Sequence, residues 1–191
     1  YDVDVVQCNH IHKDDLNTVY RKIPEGEKAV DSFSGDEIVQ HISTLVWDKI
    51  FKRSVVIEND IAFVEDSFGE DDLFAIEYCL NVSGMVKLNE YHGYVYYGGH
   101  LSSFSLKIIL DKINISYTTY ELFKKFNTSF NVSNYFHGGI NMVIGMTILV
   151  ENIKLKDISL ILNKLYDFEK EIDLERLKQG DDTFIWQGAL R

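Results

Sequence analysis

Three consecutive carboxylates, Glu70-Asp71-Asp72, follow a glycine and stand directly before the apolar run Leu73 to Leu80. Gly69 permits a turn that other residues resist. The acids then fall in the first turn of a helix, where the positive end of the macrodipole favours negative charge. Leu73, Phe74, Ile76, Tyr78, Cys79 and Leu80 make that helix apolar nearly all round, so its place is inside the molecule. A carboxylate at the rigid start of a buried helix is suited to general-base work or to binding. The same acids would equally serve as plain helix caps, which needs no chemistry. Two further sets stand out. Tyr91, Tyr94, Tyr96 and Tyr97 could stack on a sugar ring, or could be a stripe chosen for β-propensity. His10 and His12 share one face of a strand, a geometry that can bind a metal, although no third ligand is close in sequence. Asp2 and Asp4 have the spacing of a metal-binding D-x-D, but their context reads as solvent-facing strand positions.

These residues need a scaffold, and the composition supports one. The chain has 191 residues, room for one domain with a core and a small appendage. With 46% hydrophobic and 13% aromatic residues it is globular rather than disordered. Its net charge of −11, with no basic stripe, argues against nucleic acid or an anionic bilayer as the main partner. Cys8 and Cys79 lie in apolar runs without metal-type spacing and read as buried free thiols, which favours a reducing compartment. The apolar run Ile140 to Val150 is too short and interrupted to span a bilayer, and no signal peptide opens the chain. Tyr1 begins inside a strand-like pattern, so a longer or processed precursor is expected.

Tyr1 to His12 is predicted as a strand. Lys13 to Asp31 reads as a loop or loose hairpin around Pro24 and Gly26. Ser34 and Glu37 have capping-box spacing, which predicts a helix over Asp36 to Leu45 that buries Ile38, Ile42 and Leu45. In the amphipathic stretch Leu45 to Arg53, Trp47, Ile50 and Phe51 should pack inward, with Asp48, Lys49, Lys52 and Arg53 on a rim. Val55 to Phe63 reads as a loop with a short extended piece. Gly84 to Asn89 and Tyr91 to Tyr97 read as two separate extended pieces. From Ser105, a candidate cap, helices are predicted over Leu106 to Ile113, Thr119 to Phe126, Tyr135 to Val150 and Leu155 to Tyr166. Gly138, Gly139 and Gly145 would permit close helix packing or a kink.

Several separated stretches resemble one family. Val46-Trp47-Asp48-Lys49-Ile50-Phe51-Lys52 is similar to the "vWnKLyk" stretch of family 2 glycosyltransferases. Gly69-Glu70-Asp71-Asp72-Leu73-Phe74 resembles their "GEDxxF" segment, and Tyr94-Val95-Tyr96-Tyr97 with Ser103-Phe104-Ser105 resembles their "YxYr….SxS" ending. Asp4-Val5-Val6 is similar to the "aDvv" strand that follows their sugar-nucleotide half. The order agrees, and the resemblance covers about residues 1 to 105.

The resemblance implies an α/β fold (an α+β fragment), a partial GT-A-like mixed sheet with helices over residues 1–105; the helical spacing beyond it predicts a mainly helical extension over residues 106–191. It implies transfer of a sugar with inversion from a nucleotide-sugar donor to a glycan acceptor such as surface polysaccharide or lipopolysaccharide. Asp71 would be the general base, with Glu70 and Asp72 tuning or orienting it. The helix start is expected to depress the pKa of that base. Trp47 and Lys49 would sit near the acceptor or the diphosphate, and Tyr94, Tyr96 and Ser103 would shape the acceptor side. The family's N-terminal βαβ half and its D-x-D are not in the chain, and Tyr97 stands where an arginine is common. A divalent metal, Mn or Mg, is therefore expected in the complete enzyme and not on this part, which should be inactive alone. The expected location is the cytoplasm, with peripheral association at the inner face of the cell membrane. Two other readings stand beside this one. One is a non-catalytic interaction domain whose acids only cap a helix and whose aromatic stripe and C-terminal helices bind a protein or glycan partner. The other is a histidine-metal hydrolase built on His10 and His12.

Overall fold

Alternation along the first strand sets the central layer: Val5, Gln7 and Asn9 point into the interior while the residues between them are less covered. The computed structural model describes residues 3–13, 18–20, 29–97, 104–128 and 132–171. The chain divides into two compact units, Tyr1–Ser103 and Phe104–Arg191. In the first, β1 (Val5–Lys13) is followed by β2 (Thr18–Tyr20), β3 (Val30–Ser34), α1 (Glu37–His41), β4 (Lys49–Phe51), α2 (Arg53–Glu58), α3 (Glu70–Leu80) and β5 (Gly84–Tyr97). The sheet order is β2-β1-β5-β3, and β4 also pairs with β1. β1 and β5 run parallel, while β2, β3 and β4 pair antiparallel, so the sheet is mixed. A parallel pair needs a long crossover, and α1 to α3 lie on it. Val5, Ile38, Val55, Phe74, Tyr78 and Met85 form the core between sheet and helices.

Tyr78 ties α3 to that sheet. Its ring is fully buried against Phe51. Its hydroxyl donates to the Asp4 carbonyl at 2.6 Å and accepts the Lys52 N–H at 2.8 Å. Burial pushes the phenol up to about 12, so it stays neutral. Tyr78→Phe is expected to lower unfolding stability by about 1–2 kcal/mol, since both bonds are lost inside the core. Urea unfolding checks this, and an unchanged midpoint would show that the tie is energetically idle. Asp4, just before β1, accepts from the Ser83 N–H at 3.2 Å and pairs with Lys52 at 3.1 Å. Burial works to raise its carboxyl, but these partners outweigh burial and hold it below its usual value. Asp2, the other acid of the D-x-D spacing, lies outside the described residues.

Several expectations are corrected. Ser34 ends β3 and is no cap. α1 starts after Asp36, which makes no side-chain cap bond, and it stops at His41 because Ile42 turns extended. Val55 to Phe63 contains the end of α2 rather than an extended piece. The helix ends where Asp60 takes a left-handed φ of 52°. Ile50 is 74% exposed on the short edge strand β4, not inward, while Phe51 packs on Phe74 and Tyr78. Asp48 and Lys49 are buried rather than on a rim. The two extended pieces after Gly84 are one 14-residue strand. Register shifts around Asn9 let β5 pass Leu88 to His92 opposite Cys8 and Asn9 without breaking.

Gly93 sits at that irregularity because nothing larger fits. A Cβ there would lie 2.6 Å from Cys8 Sγ and 3.0 Å from the Tyr91 ring. Gly93→Ala is expected to cost about 1–3 kcal/mol by overpacking. Adding Cys8→Ala should recover much of that. A double-mutant cycle in urea with no coupling between the two positions would contradict the contact. Both cysteines are free, with Cys79 buried and Cys8 half-buried. Burial pushes the Cys79 thiol up to about 12, which makes it unreactive.

The second unit holds α4 (Leu106–Phe126), α5 (Val132–Leu149) and α6 (Leu155–Glu171). Ser105 caps α4, accepting from the Ile108 N–H at 3.4 Å. The two helices predicted over Leu106 to Phe126 are one 21-residue helix. The polar stretch between them does not break it because Ile109, Ile113, Ile115, Tyr120 and Phe123 are buried along it, while Ser116, Thr118 and Thr119 satisfy their hydroxyls on the carbonyls four residues back, at 2.9, 3.1 and 2.8 Å. Tyr120, Phe123, Phe136 and Phe168 meet edge to face in the core of this unit. Among the described residues, Gly139 is the glycine of α5 that marks a close approach, with its Cβ position 3.3 Å from Ser116 Oγ. Among the described residues, no helix is long and apolar enough to cross a membrane.

Candidate functional site

The segment between α1 and β4 links the chemistry-bearing residues of the first unit. It is pinned to β1 at two points. The Ser43 N–H donates to Gln7 Oε1 at 2.9 Å, and the Asp48 carbonyl accepts the Cys8 N–H at 2.9 Å. Gln7 is a polar residue on the buried face of an apolar strand, and that anomaly was the readable signal of its role. Inside the segment, Lys49 Nζ is fully covered. It pairs with Asp48 Oδ1 and donates to Ser43 Oγ at 2.8 Å and to the Leu45 carbonyl. Ser43 Oγ in turn donates to Asp48 Oδ2 at 2.6 Å. Burial pushes the Lys49 ammonium below its usual value, against the pull of Asp48. Sequence reasoning missed Ser43 and Asp48 as partners of Lys49.

Gly69 takes a left-handed φ of 96° and starts α3, so Glu70, Asp71 and Asp72 occupy its first turn. The Val46 N–H and the Lys49 charge lie close enough to the Asp71 carboxylate to favour its ionised form. Burial first, then the flanking charges of Glu70 and Asp72, hold its carboxyl above its usual value. This reverses the expected depression: desolvation and two like charges outweigh the helix end, the Val46 N–H and Lys49. A raised pKa makes the Asp71 carboxylate a stronger base than an ordinary one.

On the other side of Val46, Trp47 lies across β1 and β5. Past the bulge, the parallel register sets His10 beside Tyr94 and His12 beside Tyr96. The Trp47 indole stacks on Tyr94 at 4.4 Å and 29°, and on Tyr96 at 5.6 Å and 17°. His10 meets the indole edge on, and His12 meets Tyr96 in the same way. Tyr94 and Tyr96 keep 39% and 41% of their surface in solvent, enough for a ligand ring to reach them. The two histidines that suggested a metal pair are thus partners of an aromatic platform. Among the described residues, no group of three His, Cys, Asp or Glu side chains gathers as a metal ion would need. Asp71 with Glu70, Asp72 and Lys49, and Trp47 with Tyr94 and Tyr96, thus form two groups joined through Val46 and Trp47, with the Lys49 side chain fully covered. Ser103 lies outside the described residues.

No protein-family model matches the chain, and no curated protein matches it in sequence. Solved structures do match in shape. S. aureus TarS 1–349 in complex with UDP-GlcNAc aligns with a TM-score of 0.57 at 16% identity, over 91% of this chain and 51% of that one. The fold is glycosyltransferase-like. The same protein in complex with UDP aligns with a TM-score of 0.52 at 17% identity, over 91% of this chain and 49% of that one. The likeness extends into both units, since neither alone makes up nine-tenths of the chain. This chain spans about half the length of the TarS chain it matches. That match takes in the helical region, for which the sequence offered no resemblance.

Proposed function

We propose that this chain is the catalytic-base and acceptor side of an inverting glycosyltransferase of the GT-A, family 2 kind, a hexosyltransferase acting on a glycan acceptor. One observation carries the reading: consecutive residues of one pinned segment touch both halves of the chemistry. The Val46 N–H lies near the Asp71 carboxylate and favours its charge, while Trp47 stacks on Tyr94 and Tyr96. An acceptor sugar on the aromatic platform would have a hydroxyl within reach of a base of raised pKa. Asp71 takes that proton as the hydroxyl oxygen attacks the anomeric carbon, and the nucleoside diphosphate leaves with the bonding electrons. Glu70 and Asp72 keep the base strong by their charge. The fold shared with TarS, whose structures hold UDP-GlcNAc and UDP, supports a nucleotide sugar as donor. A divalent metal, Mn or Mg, would neutralise the leaving diphosphate in the complete enzyme. Surface polysaccharide or lipopolysaccharide is the acceptor class proposed, with the reaction at the cytoplasmic face of the membrane.

The platform is tested separately from the base. In the complete enzyme, Trp47→Ala should raise acceptor KM by roughly tenfold, the loss expected for one stacking ring, with donor KM unchanged. An unchanged acceptor KM would remove Trp47 from the binding surface. If glycan binding survived every carboxylate change and no transfer were found with any nucleotide sugar, the non-catalytic interaction domain would be the better reading. The exposed Tyr91 and Tyr97 beside the platform are what favour it.

A further inference from the structure

Lys49 has a larger part to play than its covered position suggests. Its ammonium reaches no solvent and is held by Asp48, Ser43 and the Leu45 carbonyl, so it fastens the two ends of the segment Ser43 to Lys49 to each other. Gln7 and Cys8 fasten the same segment to β1. The only backbone turn bond within it runs from the Lys49 N–H to the Val46 carbonyl at 3.4 Å, among the described residues. Val46 and Trp47 stand at the crest of this closed loop. One faces Asp71 and the other faces Tyr94 and Tyr96.

We infer that Lys49 is a positioning residue: its buried pair with Asp48 locks the loop so that the Asp71 carboxylate and the Trp47–Tyr94–Tyr96 platform are held as one unit. The inference deepens the base-and-platform reading and rests on it for its meaning in catalysis. Its structural content can be checked without any substrate. The Lys49 side chain does not touch the platform, so its effect there passes through the loop, whereas on Asp71 its charge also acts directly. The groups facing Asp71 are Glu70, Asp72, Lys49 and the Val46 N–H. The first two lie on α3 and stay in place when the loop is freed.

The test uses the full chain with Trp186→Phe as background, which leaves Trp47 as the one tryptophan. Asp48→Asn with Lys49→Met removes the latch while leaving no unpaired buried charge. In that variant the carboxyl resonance of Asp71 should titrate at least ~0.5 pH units higher than in the parent, and Ser43→Ala, which keeps the Lys49 charge, should shift it the same way because the Val46 N–H moves off the carboxylate. Iodide should quench Trp47 at least about twice as strongly, as stacking loosens. Both changes in a folded variant support the inference, and the absence of either overturns the coupling. Should the double variant fail to fold, Ser43→Ala takes its place, because it cuts the hydroxyl that bridges Asp48 and Lys49. In the parent, the Val46 amide must exchange slowly with deuterium. Exchange at the rate of an open loop overturns the inference regardless of the variants. If these readouts hold while Asp71→Asn leaves turnover intact, the base assignment fails alone and the latch remains a structural device.

Discussion

Replacing Lys49 with Met alone is expected to cost about 3–5 kcal/mol of unfolding stability, the loss typical of breaking a buried ion pair from one side. The reason is geometric. Asp48 is 3% exposed and its two oxygens meet Lys49 and Ser43, so removal of the ammonium strands a carboxylate inside the protein. The Ser43 hydroxyl and the Leu45 carbonyl lose their cation at the same time. The neutral double change, Asp48→Asn with Lys49→Met, should recover most of the loss, since a desolvated pair can be replaced by groups needing no solvation at little cost. Chemical unfolding at neutral pH measures both variants. A single variant within about 1 kcal/mol of the parent would place the pair in water, where such pairs contribute little.

Asp71→Asn should separate stability from function. The folded Asp71 carboxyl has a pKa above its unfolded value, so the folded state binds the proton more tightly. Its contribution to stability is therefore most favourable at acid pH. It falls as pH rises through the window between the unfolded and folded values, and the full cost is present above the folded one. Asparagine removes that cost and still offers an oxygen to the Val46 N–H. The variant should be at least as stable as the parent at neutral pH, and the gap should close on acidification. Thermal unfolding across that range checks the sign. A variant less stable at neutral pH would mean that Asp71 serves the fold, as a plain helix cap does, and would weaken its claim to chemistry.

How far the sequence carried this picture varied by element. Gly69 and the acids after it located α3 because a left-handed turn and first-turn carboxylates are strong local signals. Ser105 was equally legible as a cap. The mixed α/β sheet is what the family resemblance implies, the helices after it follow from helical periodicity, and TarS shares that fold. What failed was non-local. Lys49 and Asp48 look like rim charges on an amphipathic stretch, and only the pairing of β4 with β1 turns them inward. Ile50 looks like core until the same pairing leaves it on an edge. The bulge that joins two extended pieces into β5 depends on its partner strand. The serine and threonines of α4 weaken a helix by propensity, but burial of Ile113, Ile115, Tyr120 and Phe123 around them carries it through. The pKa of Asp71 was misjudged for the same kind of reason. A helix start is visible in sequence, whereas burial and the reach of Val46 and Lys49 are not.

The measurement that bears most directly on the central claim is sugar transfer by the complete enzyme carrying Asp71→Asn, with nucleotide-sugar binding measured in parallel. Loss of a general base removes typically about 10²–10⁴-fold in rate. The expected result is a fall of that size in kcat, with donor affinity within about twofold of the parent, since uniform binding is untouched when only a transition-state interaction is lost. Turnover close to that of the parent would contradict the assignment of Asp71 as the base.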